Sequence, residues 1–248
     1  MPASDSAHLT DQDLTMSQKQ NITDVLMVGA TGSIGRLAVA AAQRHGLRPR
    51  ALVRDVRRAE RLLPGVELVR GDLEDAASLR SVVGGADAIV LTHGSGGDPD
   101  TRRRVDYGGV RNLLESLDRA RPRVALMTSI YATRSDIPGN SPWKRRSERL
   151  LRAGGVPCTI VRPGWFDQIA ETLVRSLLTD TALGKTFELI AEEGKEPSDW
   201  TELFGALKTD ESGSVDGVLD PSDLPVEAEP QAVRADLDTV RSPHGTSG

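Results

Sequence analysis

The chain has 248 residues, of which 38% are hydrophobic and 3% aromatic, and its formal net charge is −5. No run of eighteen apolar residues exists, and no basic segment followed by an apolar one opens the chain, which excludes a membrane-spanning helix and argues against secretion. We therefore expect a cytoplasmic protein with one α/β domain, a buried core thiol at its single cysteine, Cys158, and no metal site.

The two ends of the chain differ in composition from its middle. Residues 1–22 are rich in Ser, Asp, Gln and Thr, which predicts a disordered leader and a domain covering residues 23–208. Residues 209–248 hold nine acidic and two basic residues, a net charge of −7, which leaves the first 208 residues at +2. We expect this acidic tail, with its four prolines, to lie on the surface or to wander, with one short helix near 231–240.

A strand that runs into three glycines and then a helix is the most informative segment. Residues 25–28 are apolar and predict a buried strand, and apolar residues at helical spacing predict a helix that ends at His45 and Gly46. Glycines permit a tight turn and a close approach of backbone to a pyrophosphate, and a helix amino terminus favours negative charge. The segment therefore predicts a phosphate cradle. Its candidate residues are Gly29, Thr31, Gly32, Ser33, Ile34, Gly35 and Arg36.

Further strands alternate with helices along the chain, which predicts a parallel sheet joined by right-handed crossovers. About seven strands are expected, with helices on both faces of a doubly wound sheet. The strands after the first are expected at 50–55, 66–70, 87–94, 124–129, 156–161 and 186–190. Basic clusters at 102–104 and 144–146 lack interleaved aromatic residues and are interpreted as solvated helix faces, so nucleic acid is not an expected partner.

The end of the second strand is where a nucleotide-binding fold places the residue that contacts the adenosine ribose. Arg54 stands there, and a guanidinium suits a 2′-phosphate through charge-assisted hydrogen bonds, so NADP(H) is the preferred cofactor. Arg36 is a second candidate for this phosphate, while Asp55 keeps NAD(H) open as the alternative. Three further arginines fit a phosphate contact and a solvated helix face equally well: Arg57, Arg58 and Arg61.

The motifs Gly-x-x-Gly-x-x-Gly at 29–35, Leu-Val-Arg-Asp at 52–55 and Gly-Asp-Leu at 71–73 resemble the atypical and extended branches of the short-chain dehydrogenase/reductase superfamily. The most similar groups are the NmrA-like and the biliverdin-flavin reductase-like proteins. The resemblance covers roughly residues 23–208 and implies a Rossmann-like fold with a NAD(P) site at the carboxyl ends of the strands.

This resemblance also assigns residues along the cofactor. Asp72 and Leu73 are expected beside the adenine, and Pro163 and Gly164 near the nicotinamide, with Trp165 and Phe166 as candidates for a pocket wall. The loop that follows the fourth strand should pass under the ribose and nicotinamide. This loop comprises residues 94–97, and the candidate cofactor-binding residues where the strand enters it are Thr92, His93 and Gly94. His93 is also a candidate general acid, because histidine titrates near neutrality, although a loop residue is the simpler interpretation.

Catalytic residues are harder to assign. In the superfamily a serine follows the fifth strand and a Tyr-x-x-x-Lys motif lies on the next helix. The resemblance makes Ser129 the polarising serine and Lys144 the ribose-binding lysine, but this register puts Asn140 at the tyrosine position. The usual proton donor is therefore missing. Tyr131 is the candidate to replace it, and Tyr107 is expected to pack near the cofactor.

The missing tyrosine narrows the chemistry. Reduction of an isolated ketone needs a proton donor, whereas hydride addition to a flavin, quinone or conjugated tetrapyrrole spreads negative charge over a π system. We therefore expect an NADP(H)-dependent oxidoreductase acting on a small conjugated acceptor. The alternative is a non-catalytic NAD(P)-sensing regulator of the NmrA-like type with a protein partner, which the short loop after Asp167 and the acidic tail favour.

Overall fold

The structure, a computed structural model, describes residues 21–134, 136–137, 140–164, 168–190 and 197–241. The expected leader lies outside this range except for residues 21 and 22. Seven strands are present within the described residues: β1 (Asp24–Val28), β2 (Arg48–Val53), β3 (Glu67–Arg70), β4 (Ala88–Leu91), β5 (Arg123–Met127), β6 (Cys158–Pro163) and β7 (Lys185–Leu189). They form one parallel sheet in the order β3-β2-β1-β4-β5-β6-β7, which confirms the Rossmann-like α/β fold.

Helices connect these strands. They are α1 (Ser33–Arg44), α2 (Val56–Leu62), α3 (Ala76–Val83), α4 (Pro99–Arg102), α5 (Gly108–Ser116), α6 (Pro142–Ala153), α7 (Ile169–Leu178), α8 (Trp200–Gly205) and α9 (Gln231–Arg241). A π-helical segment, Arg103–Tyr107, joins α4 to α5. In the part of the chain that the structure describes, no helix is both long and apolar enough to cross a membrane.

The core lies on both faces of the sheet because successive side chains of a strand point in opposite directions. In β1, Val25 and Met27 join the core formed with α1 and α7, while Leu26 and Val28 join the core formed with α3, α5 and α6. All four side chains are at most 1% exposed, and burial of each such side chain contributes about 1.5–3 kcal/mol. The predicted helices on both faces are confirmed.

The second strand lies two residues earlier than expected, at Arg48–Val53 and not at 50–55. It ends at Val53, and Asp55 instead precedes α2, where its carboxylate accepts a hydrogen bond from the Arg58 backbone N–H at 3.0 Å. Aspartate is a favoured residue at this position because it satisfies an N–H that the helix leaves unpaired. Arg54 and Asp55 therefore lie in the turn between β2 and α2.

The basic residues at 144–146 do not form a solvated helix face, so this prediction was wrong. The side chains of Arg145, Arg146 and Arg149 on α6 are only 4%, 12% and 0% exposed. Carboxylates of the acidic tail cover them. The closest pairs are Arg145 with Asp223 (2.8 Å), Arg146 with Glu229 (2.7 Å), Arg149 with Asp216 (2.7 Å) and with Glu229 (2.8 Å), and Arg152 with Asp210 (3.1 Å).

The expected tail helix is present as α9, whose apolar residues pack into the core beside α5 and α6. Val233, Leu237 and Val240 are 1–7% exposed and fall at helical spacing on one face. The tail therefore combines an apolar contact through α9 with ion pairs to α6.

The other basic cluster, at 102–104, is more exposed than the one on α6, with Arg103 and Arg104 on the surface.

Candidate functional site

A cleft of about 340 Å³ opens at the carboxyl ends of β1, β2, β3 and β4. The order of the strands reverses between β1 and β4, and open α/β sheets bind ligands in the crevice formed at such a point. Its lining residues are Val28, Gly29, Thr31, Gly32, Leu52, Val53, Arg54, Asp55, Arg58, Gly71, Asp72, Leu73, Glu74, Thr92, His93, Gly94 and Val105.

The glycine turn forms one wall of this cleft, and at two of its three positions a side chain would clash. Gly29 has φ +82°, and a Cβ there would lie 2.7 Å from the backbone nitrogen of His93. A Cβ on Gly35 would lie 2.1 Å from the carbonyl oxygen of Gly29, so this glycine lets α1 pack against the turn. Gly32 precedes α1 without a side-chain cap, and the first turn of α1 carries no acidic residue. These features suit an anionic pyrophosphate, which helix N–H groups can bind.

Not every predicted cradle residue lines the cleft. Thr31 and Gly32 do, whereas Ser33, Ile34, Gly35 and Arg36 belong to the first turn of α1 and do not. Ile34 packs against the core and Gly35 is buried in the contact between helix and turn. The backbone N–H groups at the start of α1 remain the feature of this segment that can bind phosphate.

The wall at the end of β2 is basic. Arg54 and Arg58 both line the cleft and both are exposed, and among the described residues neither has an ion-pair partner for its side chain. Asp55 lies between them and uses one carboxylate oxygen to cap α2. Arg58, which fitted two interpretations in the sequence, is thus part of the cleft, while Arg57 and Arg61 do not line it.

Asp72 and Leu73 line the cleft after β3, as expected for an adenine-binding wall. One Asp72 carboxylate oxygen accepts the Glu74 backbone N–H at 3.0 Å, which makes the segment a tight turn. The Asn112 side chain donates to the Leu73 carbonyl at 2.7 Å and so anchors this turn to α5. Gly71 and Glu74 complete the wall and were not singled out as site residues from the sequence.

The segment after β4 forms the opposite wall. The Thr92 hydroxyl donates to the Val28 carbonyl at 3.0 Å and ties this segment to β1. His93 is 6% exposed, and within the described residues neither ring nitrogen makes a hydrogen bond. Burial, together with the positive charge of Lys144, lowers the pKa of His93 to about 3, while the Asp106 backbone opposes this decrease. The ring is therefore neutral near pH 7, which suits hydrogen bonding better than proton donation.

Lys144, in the first turn of α6, does not line the cleft but packs behind the same wall. Its ammonium lies 3.4 Å from the His93 carbonyl and 3.7 Å from an Asp106 carboxylate oxygen. Burial lowers the pKa of Lys144, and the charge of Asp106 opposes that decrease. Asp106 is 2% exposed and also accepts the Ser95 backbone N–H at 2.7 Å, so it holds the loop that carries Gly94.

Asp106 was not among the residues predicted from the sequence, whereas its neighbour Tyr107 was expected to pack near the cofactor. Tyr107 is buried, but it does not line the cleft. Its hydroxyl donates to Asp236 of α9 at 2.8 Å, so it faces the tail. Pairing of the Asp106 and Lys144 side chains depends on the packing of α6 against the π-helical segment, which no local pattern encodes.

The remaining predicted site residues lie at the carboxyl ends of β5 and β6, outside the lining of the cleft. The backbone N–H of Ile130, next to Ser129, donates to the Pro163 carbonyl at 2.9 Å, and Gly164 donates to Leu189 at 2.9 Å. The structure thus brings Ser129 and Pro163 to one edge of the sheet. Trp165 and Phe166 lie outside the described residues.

Tyr131 and Asn140 are neighbours at this edge. Tyr131 is 45% exposed and has φ +60°, a conformation that is uncommon for a residue with a side chain. The Asn140 side chain donates to the Tyr131 carbonyl and, at 2.8 Å, to the Arg134 carbonyl. Asn140 therefore holds the 131–134 loop, and its assignment to the tyrosine position of the superfamily stays a prediction.

Comparison with known proteins agrees with this geometry. Residues 29–188 match the family described as NAD(P)H-binding. The chain belongs to this family. The assignment to the atypical short-chain dehydrogenase/reductases is thereby confirmed, because a reductase homologue and a sugar epimerase are also among the curated relatives that match.

Two curated relatives show the extent of the similarity. The chain is 30% identical to Protein TIC 62, chloroplastic, of Pisum sativum over 185 residues, which are 62% of this chain and 34% of that protein. It is 34% identical to Isoflavone reductase homolog IRL of Zea mays over 195 residues, 68% of this chain and 60% of that protein. The chain thus spans 34% and 60% of the lengths of these relatives. The first relative is chloroplastic by name, so a cytoplasmic location remains a prediction.

Among solved structures, an NADPH-dependent quinone oxidoreductase from Escherichia coli in complex with NADPH superposes with a TM-score of 0.57. It is 19% identical, and the match covers 67% of this chain and 69% of that chain. At this identity the comparison shows a shared fold.

Proposed function

We propose that the protein is an NADP(H)-dependent oxidoreductase that transfers a hydride to a small conjugated acceptor. The observation that carries the proposal is the cleft at the point where the strand order reverses. Its wall combines the glycine turn, the uncapped amino terminus of α1 and the two arginines that follow β2. Pyrophosphate and a 2′-phosphate are the ligand groups that suit these walls.

The preference for NADP(H) rests on the charges at the end of β2. Arg54 and Arg58 place two guanidinium groups in the wall where the adenosine ribose is expected, and neither is paired with a described carboxylate. Asp55, the residue that would favour NAD(H), has one oxygen committed to the amino terminus of α2. A guanidinium binds a phosphate through charge-assisted hydrogen bonds that are absent with a ribose hydroxyl, so the wall discriminates between the two cofactors.

The choice of acceptor rests on the proton donors that are available. No tyrosine lines the cleft in the described part of the chain, and the His93 ring is neutral near pH 7. NADPH supplies a hydride when bound. The Lys144 ammonium lies 3.4 Å from the His93 carbonyl at the cleft wall and can stabilise negative charge that develops on an acceptor. A conjugated acceptor such as a flavin or quinone delocalises that charge and can take its proton from water, so it does not require the missing tyrosine.

A calorimetric titration with NADPH, NADP⁺ and NADH tests the cofactor assignment. Arg54→Ala should weaken NADPH binding about 10- to 100-fold, the range expected for hydrogen bonds to a charged group, and should leave NADH binding nearly unchanged. Arg57→Ala is the matched control, because Arg57 is an exposed arginine in the first turn of the following helix, α2, and does not line the cleft. Equal affinity of the wild-type protein for NADH and NADPH would refute the preference.

The reaction is tested separately, by following NADPH oxidation with a panel of flavins and quinones. Turnover that requires the protein and is lost in a Lys144→Met variant supports hydride transfer. A protein that binds NADPH but turns over no member of the panel would refute the proposed reaction.

The second candidate function is a non-catalytic sensor of NAD(P). It is favoured by Asn140, whose side chain holds the 131–134 loop at the position of the missing tyrosine. A sensor should retain a protein partner only with, or only without, the bound cofactor. Pull-down experiments in the presence and absence of NADP(H) that recover the same partners would exclude this function.

A further inference from the structure

Two pairs of consecutive residues lie between the acidic tail and the wall of the cleft. Asp106 and Tyr107 are adjacent in the π-helical segment, and Trp143 and Lys144 are adjacent at the start of α6. One residue of each pair faces the cleft wall, where Asp106 and Lys144 lie 3.7 Å apart. The other two form an aromatic contact with ring centroids 5.3 Å apart and an interplanar angle of 51°.

On the side of the cleft, this arrangement fixes the loop after β4. Asp106 accepts the Ser95 backbone N–H at 2.7 Å, and the Lys144 ammonium lies 3.4 Å from the His93 carbonyl. A Cβ on Gly94 would lie 3.3 Å from that ammonium, so Lys144 packs directly against the loop. A displacement of α6 relative to the π-helical segment would therefore move both the loop and the lysine.

On the opposite side, the tail contacts the aromatic pair directly at Tyr107 and, through Arg146 of α6, indirectly at Trp143. The Tyr107 hydroxyl donates to one oxygen of Asp236 at 2.8 Å, and the other oxygen accepts from Arg111 at 3.3 Å. The guanidinium of Arg146 lies 4.5 Å from the centre of the Trp143 ring and donates to Glu229 at 2.7 Å. Burial and Asp236 raise the pKa of Tyr107, so its hydroxyl remains a donor near neutral pH.

We propose that the tail is a positioning element of the cofactor site, acting from Asp236 and Glu229 through Tyr107 and Trp143 on Asp106 and Lys144. This inference rests on the proposed function, since its consequence is measured as cofactor binding. The match to the NAD(P)H-binding family ends at residue 188, so the tail lies beyond the matched region. Coupling between two sites is reciprocal. If docking of the tail strengthens cofactor binding, then bound cofactor stabilises the docked tail by the same free energy.

Tyr107→Phe tests the proposal with the smallest change, because it removes only the hydroxyl that meets Asp236. The dissociation constant for NADPH should rise about fivefold, the lower end of coupling between two sites. Asp236→Ala is the second variant and should act in the same direction. Asp238→Ala is the control, because this α9 side chain is 79% exposed, and it should bind NADPH like the wild-type protein. Circular dichroism and thermal unfolding identify any variant that does not fold.

A double-mutant cycle separates positioning from general loosening of the fold. In a Lys144→Met background, Tyr107→Phe should have little further effect on NADPH binding, because the residue it positions is gone. In an Arg54→Ala background the fivefold effect should persist in full. Equal effects of Tyr107→Phe in all three backgrounds would overturn the proposal.

Hydrogen exchange supplies the reciprocal measurement. Saturating NADPH should slow the exchange of α9 amides in the wild-type protein but not in Tyr107→Phe. If the wild-type protein binds NADPH while Tyr107→Phe and Asp236→Ala bind it equally well, the positioning role is refuted and the proposed function stands. If the folded wild-type protein binds neither NADPH nor NADH, the proposed function is refuted and this inference with it.

Discussion

Replacing Glu229 with alanine tests whether the carboxylates of the tail are structural partners of α6. The Glu229 side chain is fully buried and accepts hydrogen bonds from Arg146 at 2.7 Å and Arg149 at 2.8 Å. Removing one partner of a buried ion pair leaves an uncompensated charge and typically costs about 3–5 kcal/mol. Arg149 keeps its two bonds to Asp216, so we expect a loss of about 3 kcal/mol, at the lower end of that range.

Urea unfolding measures this loss. With a slope of about 2 kcal/mol/M, 3 kcal/mol lowers the midpoint by about 1.5 M. Glu227→Ala is the matched control, since Glu227 is an exposed residue of the same segment, and its effect should stay within about 0.5 kcal/mol. Because buried pairs are screened little by salt, the difference between the two variants should persist at about 0.5 M NaCl. A loss below about 1 kcal/mol for Glu229→Ala would refute the reasoning, because it would equal that of a surface pair.

Three further predictions concern the cleft and the core. Gly29→Ala should abolish detectable NADPH binding in calorimetry, since its Cβ would lie 2.7 Å from the His93 nitrogen. Gly46→Ala should retain binding, because Gly46 has a similar positive φ, +73° against +82°, but no atom lies within 4 Å of its Cβ. His93 should make stability fall with acid, because its folded pKa of about 3 lies below the unfolded 6.5 and the unfolded chain binds the extra proton. Between pH 7.5 and pH 5, the free energy of unfolding measured in urea should therefore fall by about 2 kcal/mol less in a folded His93→Leu variant than in the wild-type protein. The same pH dependence in both proteins would contradict this. Cys158, expected in the core, is half-buried and packs against it, and burial raises its pKa to about 11. It should react with iodoacetamide at pH 8 at least about tenfold more slowly in the folded protein than in urea, and equal rates would show that the thiol is not protected.

The glycine cradle could be predicted because its physics is local. A strand, a turn with a positive φ at Gly29 and a helix that begins after Gly32 are specified within about a dozen residues of sequence. The alternation of strands and helices then determines a parallel sheet, and the carboxyl ends of its strands define where the cleft lies. Most of the predicted cofactor residues that follow β1 to β4 accordingly line it.

Local sequence patterns do not predict all the residues that line the cleft or pack behind its wall. Arg58 lines the cleft because α2 begins at the cap of Asp55, and the sequence alone fitted a solvated face equally well. Asp106 and Lys144 are brought together by the packing of two helical segments that are far apart in the chain. Ser129 follows β5 and Pro163 ends β6. These strands continue the sheet beyond β4 and away from β1, so both residues lie outside the lining of this cleft.

The error about α6 has a physical cause that extends to other basic helices. Arg145, Arg149 and Arg152 are spaced by four and three residues and therefore lie on one face, as solvated arginines on a surface helix also do. A buried face of arginines differs from a solvated one in that another segment of the chain supplies carboxylates to pair with it. Here the tail carries a net charge of −7 in forty residues. Once paired, a carboxylate and a guanidinium can be buried together, so the polar pattern no longer indicates exposure. A basic helix face and an acidic segment in one chain should therefore be considered as partners before either is assigned to solvent.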